Sequence, residues 1–363
     1  MRIALEKRPA PSGLLSALTP PLAVLATMLA GGVMFWALGI EPLLALRTIF
    51  WDPLFHPDFS GFLRPQLLVK AGPLVLIATG LALGFRAGVW NIGAEGQYIM
   101  GAILGAGVGL AFYPTENRMI FPLMILAGGF GGWLWAMIPA LLKTKLGTNE
   151  ILVSLMLVYV AETILSAVSS GILRNPDGRG FPGSRNLARD FPAASNPELF
   201  EGTGMHWGVV AALIAVIFAY VLLTRHKMGY AIQLSGQAPR AARFAGISPS
   251  RLVVFVLGTA GALSGLAGLF EVTGPAGQIS SNFGSGYGFT AIIVAFLGRL
   301  HPVGILLAGL LMALTYIGGE LAQPLLSMPA AAIQLFQGMM LFFLLAMDVF
   351  ANYRVRLILK GAR

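Results

Sequence analysis

The stretch FRAGVWNIGAEGQYIMGA, residues 85–102, sets Arg86, Asn91, Glu95 and Gln97 among glycines at 88, 93, 96 and 101, with apolar sequence on both sides. Two amides and a carboxylate this close together can trade hydrogen bonds with a polar solute that leaves water. Each glycine weakens a helix by roughly 0.8–1 kcal/mol relative to alanine, so the spacing predicts a broken or re-entrant element. Irregular backbone at membrane depth survives only when it is buried in protein or lines a cavity. Discontinuous helices of transporters turn dipole ends and backbone groups toward polar solutes. On that reading the stretch puts polar groups on a path through a bilayer. The plainer alternative is a loop that dips into the headgroups, where Arg86 is at home.

Five acids fall within or at the edge of apolar runs: Glu95, Glu150, Glu162, Glu271 and Asp348. A charge at the centre of a spanning helix costs at least about 2.5–3.5 kcal/mol, so such groups face protein or a watery path. Glu150 and Asp348 lie near span ends and read as interfacial. Glu162 and Glu271 lie deeper, and pairing with a buried partner or lining a pore would serve either equally well. With Asn149 of the GTNEI run, the residues placed on a translocation pathway are Asn91, Glu95, Gln97, Asn149, Glu162 and Glu271.

Other chemistry is missing. There is no G-x-x-x-x-G-K-[ST] phosphate loop, no H-E-x-x-H and no G-x-S-x-G elbow. The four histidines, His56, His206, His226 and His301, stand apart from one another, which argues against a metal site. The chain has no cysteine, hence no disulfide or thiolate. Gly286 to Ala291 fits G-x-G-x-x-A but opens an apolar span rather than following a strand. No cofactor is expected, and an enzymatic reading has little support.

The elements that must hold these residues are legible in the composition. Of 363 residues, 56% are hydrophobic and 11% charged, against about 25% charged in a soluble domain, so the solvent is lipid. Ten apolar windows fall near 18–40, 66–85, 88–113, 119–142, 150–173, 207–224, 252–272, 287–299, 303–322 and 330–350, the third and eighth being weakest because they are polar and rich in glycine. Arg2, Lys7 and Arg8 precede the first window, which is too long for a signal-peptide core and is expected to stay as a helix. The chain between Ile40 and Gln66 reads as an outer interfacial segment. Threaded from a cytoplasmic N-terminus, the windows leave 16 of the 24 basic residues inside, as the positive-inside rule asks. The net charge of +9 is thereby membrane orientation, aided by anionic lipid, and not a nucleic-acid footprint. Residues 174–206 fall outside. Residues 225–251 fall inside and predict one or two short helices broken at Gly236 and Pro239.

Glycines spaced by four, Gly101-Gly105-Gly109, Gly128-Gly132 and Gly261-Gly265, with Gly304-Ala308, predict close helix packing. A second interrupted element is expected in GPAGQISSNFGSGYGFTAIIVAFLGRLHP, residues 274–302. Two such elements in the two halves of a chain hint at an internal repeat and a shared pathway.

Four stretches carry a family resemblance: FRAGVWNIGAEGQYIMGA; LLKTKLGTNEILVSLMLVYVAE at 141–162; GQAPRAARFAGIS at 236–248, followed by SGLAGLFEVTG; and GYGFTAIIVAFLGRLHPVGILLAGLLMA at 286–313. The chain resembles the permease subunits of bacterial ABC importers, in the branch serving simple sugars, branched-chain amino acids and nucleosides, and most closely the nucleoside type. The resemblance runs over about residues 66–350. It implies an all-α polytopic helical bundle of about ten spans in the bacterial inner membrane, both termini cytoplasmic, the whole chain 1–363 forming one permease domain. It also implies partners: ATP-binding cassette subunits that hydrolyse ATP, a second permease of different sequence, and an extracytoplasmic substrate-binding lipoprotein. The family's cytoplasmic helix that docks on the ATPase matches Ala241, Ala242 and Gly246, with Gln237, Arg240 and Arg243 alongside. A basic inside loop that binds lipid headgroups is the plainer reading of those residues. The function implied is import of a nucleoside or related small polar metabolite by alternating access. A ribose-like sugar permease, or an ion-coupled carrier whose acids relay protons, are the alternatives.

Overall fold

The protein is described by a computed structural model over residues 2–7, 13–178, 180–284 and 286–358, with side chains from residue 18 to residue 347 of that set. Asp348 and the basic side chains of both termini lie outside the described side chains. The helices are α1 (Gly13–Ala37), α2 (Pro42–Phe50), α3 (Asp52–Phe55), α4 (Ser60–Arg86), α5 (Ala94–Ala111), α6 (Ile120–Leu146), α7 (Glu150–Ser170), α8 (Trp207–Arg225), α9 (Lys227–Gln237), α10 (Pro239–Phe244), α11 (Pro249–Thr273), α12 (Tyr287–Leu297), α13 (Pro302–Leu326) and α14 (Ala330–Asn352). Two short terminal strands, β1 (Arg2–Lys7) and β2 (Tyr353–Ile358), pair antiparallel from Arg2 opposite Ile358 to Lys7 opposite Tyr353.

Among the described residues, eight helices are long and apolar enough to cross a membrane: α1, α4, α6, α7, α8, α11, α13 and α14. Eight of the ten apolar windows are thereby continuous helices, and the two weakest are the ones preceded by irregular chain, as their glycine and amide content predicted. The third window yields α5, which begins only at Ala94 after non-helical chain at 87–93. The eighth yields α12, whose 11 residues reach only about 16 Å at 1.5 Å per residue. Each is a helix preceded by irregular chain.

The chain divides into two compact units, residues 1–60 with 314–363, and residues 61–313. In the first, α1 packs on α14 with Phe35 stacked on Phe336 at 5.8 Å. Gly318 meets the backbone of Ile49 where a Cβ would collide. The Gln337 amide donates to Thr315 Oγ1 at 3.2 Å, so this buried amide is satisfied within its own unit.

The second unit is organised around α5, α6 and α11. The glycine rows converge there: a Cβ on Gly101 would fall on Gly265 Cα, and one on Gly132 would come within 2.7 Å of Gly265 Cα. Gly268 lies equally close to the carbonyl of Tyr98. Lipid is as apolar as leucine, so burying leucine gains nothing here. Backbone approach permitted by small residues supplies the packing instead.

Local signals set the helix ends. α6 stops where Gly147 turns left-handed at φ 68 and returns its N–H to the Lys143 carbonyl. Lys143 and Lys145 sit in that last turn, where the helix dipole is negative. The chain from Asn175 to Leu187 pairs with the segment after α11: Ser184 N–H donates to the Ile279 carbonyl at 2.8 Å and Leu187 N–H to the Gly277 carbonyl at 2.6 Å. At the opposite end of this unit, Arg86 Nε donates to the Leu300 carbonyl at 2.8 Å.

Candidate functional site

The first interrupted stretch is built by its own polar side chains. Asn91 and Gln97, each 1% exposed, form a reciprocal amide pair: Asn91 Nδ2 donates to Gln97 Oε1 at 2.9 Å and Gln97 Nε2 donates to Asn91 Oδ1 at 3.2 Å. Asn91 Oδ1 also accepts the Gly93 N–H at 3.0 Å, which closes the turn before α5. The freed backbone finds partners on α7. Ile92 N–H donates to Ser154 Oγ at 3.2 Å, and Trp90 N–H reaches Glu150 Oε1 at 3.4 Å. Glu150 also pairs with Lys143. Chain without helical bonds at this depth is thus satisfied almost group by group.

Glu95 joins the two interrupted elements. Its side chain is 1% exposed, and its two oxygens accept the Gly286 N–H at 2.9 Å and the Gly288 N–H at 2.6 Å. These are among the orphan donors at the start of α12, where the helix dipole is positive. A carboxylate therefore caps α12 from another helix. Gly288 is required for the approach, because a Cβ there would lie 2.8 Å from the Ala94 carbonyl carbon and closer still to Glu95. Tyr98, one turn along α5, stacks on Phe283 at 5.1 Å and meets Tyr287 edge-on at 5.9 Å. Asn91, Glu95 and Gln97 stand inside protein with these partners, rather than presenting their polar atoms to open space.

Glu271, 9% exposed on α11, faces a cavity of about 210 Å³ together with Lys70 of α4 and with Gln278, Ser280, Asn282 and Tyr287 from the approach to α12. Lys70 Nζ lies 5.8 Å from the centre of the Tyr287 ring. Sequence reasoning missed Lys70, although a lysine among apolar residues of an otherwise buried helix was the signal. Glu162 is exposed on α7, with Tyr159 one turn before it also uncovered, and stands within electrostatic reach of Glu95. Asn149 is apart from these: it caps α7 by accepting the Ile151 N–H at 2.9 Å and is exposed at the end of the helix.

The basic loop at 225–251 forms two short helices, α9 and α10, parted at Ala238 just before Pro239. Gln237, Arg240, Ala241, Arg243 and Gly246 are exposed, and Gly246 is left-handed at φ 77. Ala242 differs, being 2% exposed and packed inward. Phe244, which sequence reasoning passed over, is 95% exposed at the end of α10. Gly236 of α9 sits on the Arg86 carbonyl, so tightly that a Cβ would collide, and would meet Ala87 at 3.3 Å. The loop therefore rests on the chain break between α4 and α5.

Helices broken at depth and satisfied by buried amides and carboxylates, with a basic helical loop seated on one break, define a membrane transport protein. The chain belongs to the family described as "Branched-chain amino acid transport system / permease component", which matches residues 64–345. It is 36% identical over 346 residues, 93% of this chain and 89% of the relative, to the glucose ABC transporter permease protein TsgB13 of Haloferax volcanii. It is 29% identical over 308 residues, 83% of each chain, to the nucleoside ABC transporter permease protein NupB of Lactococcus lactis. It is 26% identical over 356 residues, 96% of this chain and 99% of the relative, to the guanosine ABC transporter permease protein NupP of Bacillus subtilis. No solved structure matches the chain. The protein is accordingly a multi-pass inner-membrane permease subunit of the ABC type, and membership implies ATP-binding subunits and a substrate-binding protein.

Proposed function

We propose that this chain is the membrane-crossing subunit of an ATP-driven importer of nucleosides or a related small polar solute, working by alternating access as one permease domain. The carrying observation is the seat of Gly236 on the Arg86 carbonyl. A push on α9 and α10 from a bound ATPase reaches the break at 87–93 directly. From there it passes through Glu95 to the start of α12. Gln237, Arg240, Ala241, Arg243 and Gly246 form the docking face with Phe244 as its apolar anchor, and Ala242 holds α10 against the protein. The sequence holds no phosphate loop, so ATP is hydrolysed on the partner.

The pathway runs past Glu271 and Lys70 and along the Glu162 side of α7. An exposed acid on a spanning helix costs at least about 2.5–3.5 kcal/mol against lipid. A second permease chain of different sequence covering this side, with the path between the two, removes that penalty. Asn91, Glu95 and Gln97 shape the path's wall by fixing the break, and Asn149 sets the start of α7. Both termini and residues 225–251 are cytoplasmic, and an extracytoplasmic lipoprotein delivers solute to the face carrying 174–206. An ion-coupled carrier is less well supported, since Glu95 has both oxygens committed to backbone N–H groups.

A monosaccharide is the second reading for the solute, favoured by the 36% identical relative named as a glucose permease. Uptake by the reconstituted complex, with a panel of nucleosides, ribose and glucose, decides between them. Saturable ATP-dependent uptake of a nucleoside that free sugars do not displace is expected. Uptake of glucose alone would assign the chain to sugars, and uptake of neither would overturn the reading.

A further inference from the structure

A second polar hollow of the second unit has a lining distinct from that of the cavity at Glu271. It is a cavity of about 500 Å³ at the end of the bundle that carries residues 174–206. Gln66, Ser195, Asn196, Glu198 and His206 are its polar lining, and neither lysine nor arginine is among the lining residues. A volume of this size lies within the range of about 300–1,000 Å³ usual for small-molecule pockets.

The chemistry of the cavity is set by His206, which is 3% exposed and caps α8. Trp207 N–H donates to Asn196 Oδ1 at 3.2 Å, which turns the Asn196 amide so that its Nδ2 faces His206 Nδ1 at 3.0 Å. The Gly208 N–H also donates to Nδ1, at 3.1 Å. Two donors converge on Nδ1, so Nδ1 is an acceptor and the neutral ring carries its proton on Nε2. Burial agrees, holding His206 well below its ordinary value, at about 4. Yet Nε2 is buried with no hydrogen-bond partner. It lies beside Gly274, which also lines the cavity, and a Cβ at that position would stand 3.1 Å from it. Gly274 has no Cβ to fill the space beside that N–H, which is otherwise enclosed in the cavity wall. A native fold seldom leaves such a donor unanswered without a reason.

We propose that this cavity is a solute site of the permease itself, taking a neutral polyhydroxylated molecule such as a monosaccharide or the ribose of a nucleoside. A small turn of the His206 ring toward the space beside Gly274 lets one solute oxygen accept the Nε2–H, and neighbouring hydroxyls donate to the Glu198 carboxylate and bond the amides of Gln66 and Asn196. With one acid and no base in the lining, an anion is disfavoured. The assignment rests on the importer reading above for its solute class, while the orphan donor stands on geometry alone.

A crossed pair of variants tests it. His206→Asn keeps an acceptor where Nδ1 caps α8 but is too short to place a donor at Nε2. His206→Gln keeps the donor and loses the cap. The assembled permease–ATPase complex in lipid nanodiscs, without its binding lipoprotein and without ATP, is titrated with radiolabelled ribose, glucose and adenosine, with sulfate as the anionic control. At least one of the three is expected to bind and sulfate is not. Asparagine at 206 weakens that binding roughly 5- to 150-fold, as loss of one hydrogen-bond partner of a buried polar group would, at unchanged thermal stability. Glutamine leaves the affinity within a few-fold and lowers the stability. No binding by the unaltered complex, equal binding by the asparagine variant, or sulfate binding as well as the sugars overturns the assignment. Binding at this site with no uptake by the complete complex would leave the site in place and remove the importer reading. Uptake with no loss of binding in the asparagine variant would do the reverse.

Discussion

Glu95 is a capping group made from a residue that looks, in sequence, like a proton carrier. Its partners lie 191 and 193 residues away, a distance no local pattern can bridge. The residue types at 91, 95 and 97 announced a polar break, and the break is there. Their mutual bonding was hidden, because an amide pair six residues apart across irregular chain obeys neither helical nor strand spacing. The consequence for mutation follows from the hydrogen bonds. Glu95→Ala strands the buried Gly288 N–H, at a cost of about 1–3 kcal/mol, and the part-buried Gly286 N–H, at less. Membrane abundance and thermal stability should both fall, and uptake per remaining molecule should fall too, because α12 loses its anchor. Glu95→Gln keeps one acceptor oxygen and should be milder on both counts. Abundance by quantitative blotting and uptake on the same vesicles separate these effects. A stable, fully abundant alanine variant would show that the cap is dispensable.

At the scale of elements, hydropathy found each continuous span and was least sure at the two windows that are broken. The reason is physical. A window average reports composition, and α5 and α12 owe their place to contacts that composition does not contain, namely glycine rows on α6 and α11 and a carboxylate cap. The basic loop at 225–251 shows the same division. Pro239 marked the break between α9 and α10, whereas Gly236 lies inside α9, and neither showed that Ala242 would turn inward while Phe244 turned out. Ala242→Asp would therefore damage the packing of α10 itself, and Gly246→Arg would strain a left-handed residue as well as add bulk. Phe244→Ser is the cleaner probe of docking. Burying a phenylalanine contributes roughly 1.5–3 kcal/mol, so co-purification of the ATPase should weaken about 10- to 150-fold, with uptake falling alongside and the permease itself unchanged in abundance. Undiminished ATPase retention in that variant would place the docking surface elsewhere.

For the molecule as a whole, the segments threaded inward by charge do gather at one end of the second unit. Arg86 bonds the chain at Leu300, Gly236 sits on Arg86, and Lys143 pairs with Glu150 beside Trp90. Those threaded outward gather at the other end. Ser184 and Leu187 bond Ile279 and Gly277, and the Arg185 guanidinium lies 4.5 Å over the Tyr113 ring. Charge counting could assign sides because lysine and arginine are held back by the membrane potential and attracted by the anionic inner leaflet. It could not show that the loops on each side touch. Contact fixes which loops share a face but not which face is cytoplasmic, and that can be measured directly. The chain has no cysteine, so single introduced thiols report without a background. Phe181, 78% exposed in the 174–206 segment, and Arg240 on the exposed side of α10 are suited to the purpose. A membrane-impermeant maleimide added to intact cells should label Phe181→Cys and spare Arg240→Cys, and inverted vesicles should reverse the pattern. Labelling of both from one side would mean that the two loops share a face, contrary to the packing. A full reversal would keep the packing and invert the chain in the membrane, leaving the basic loop with no ATPase to meet.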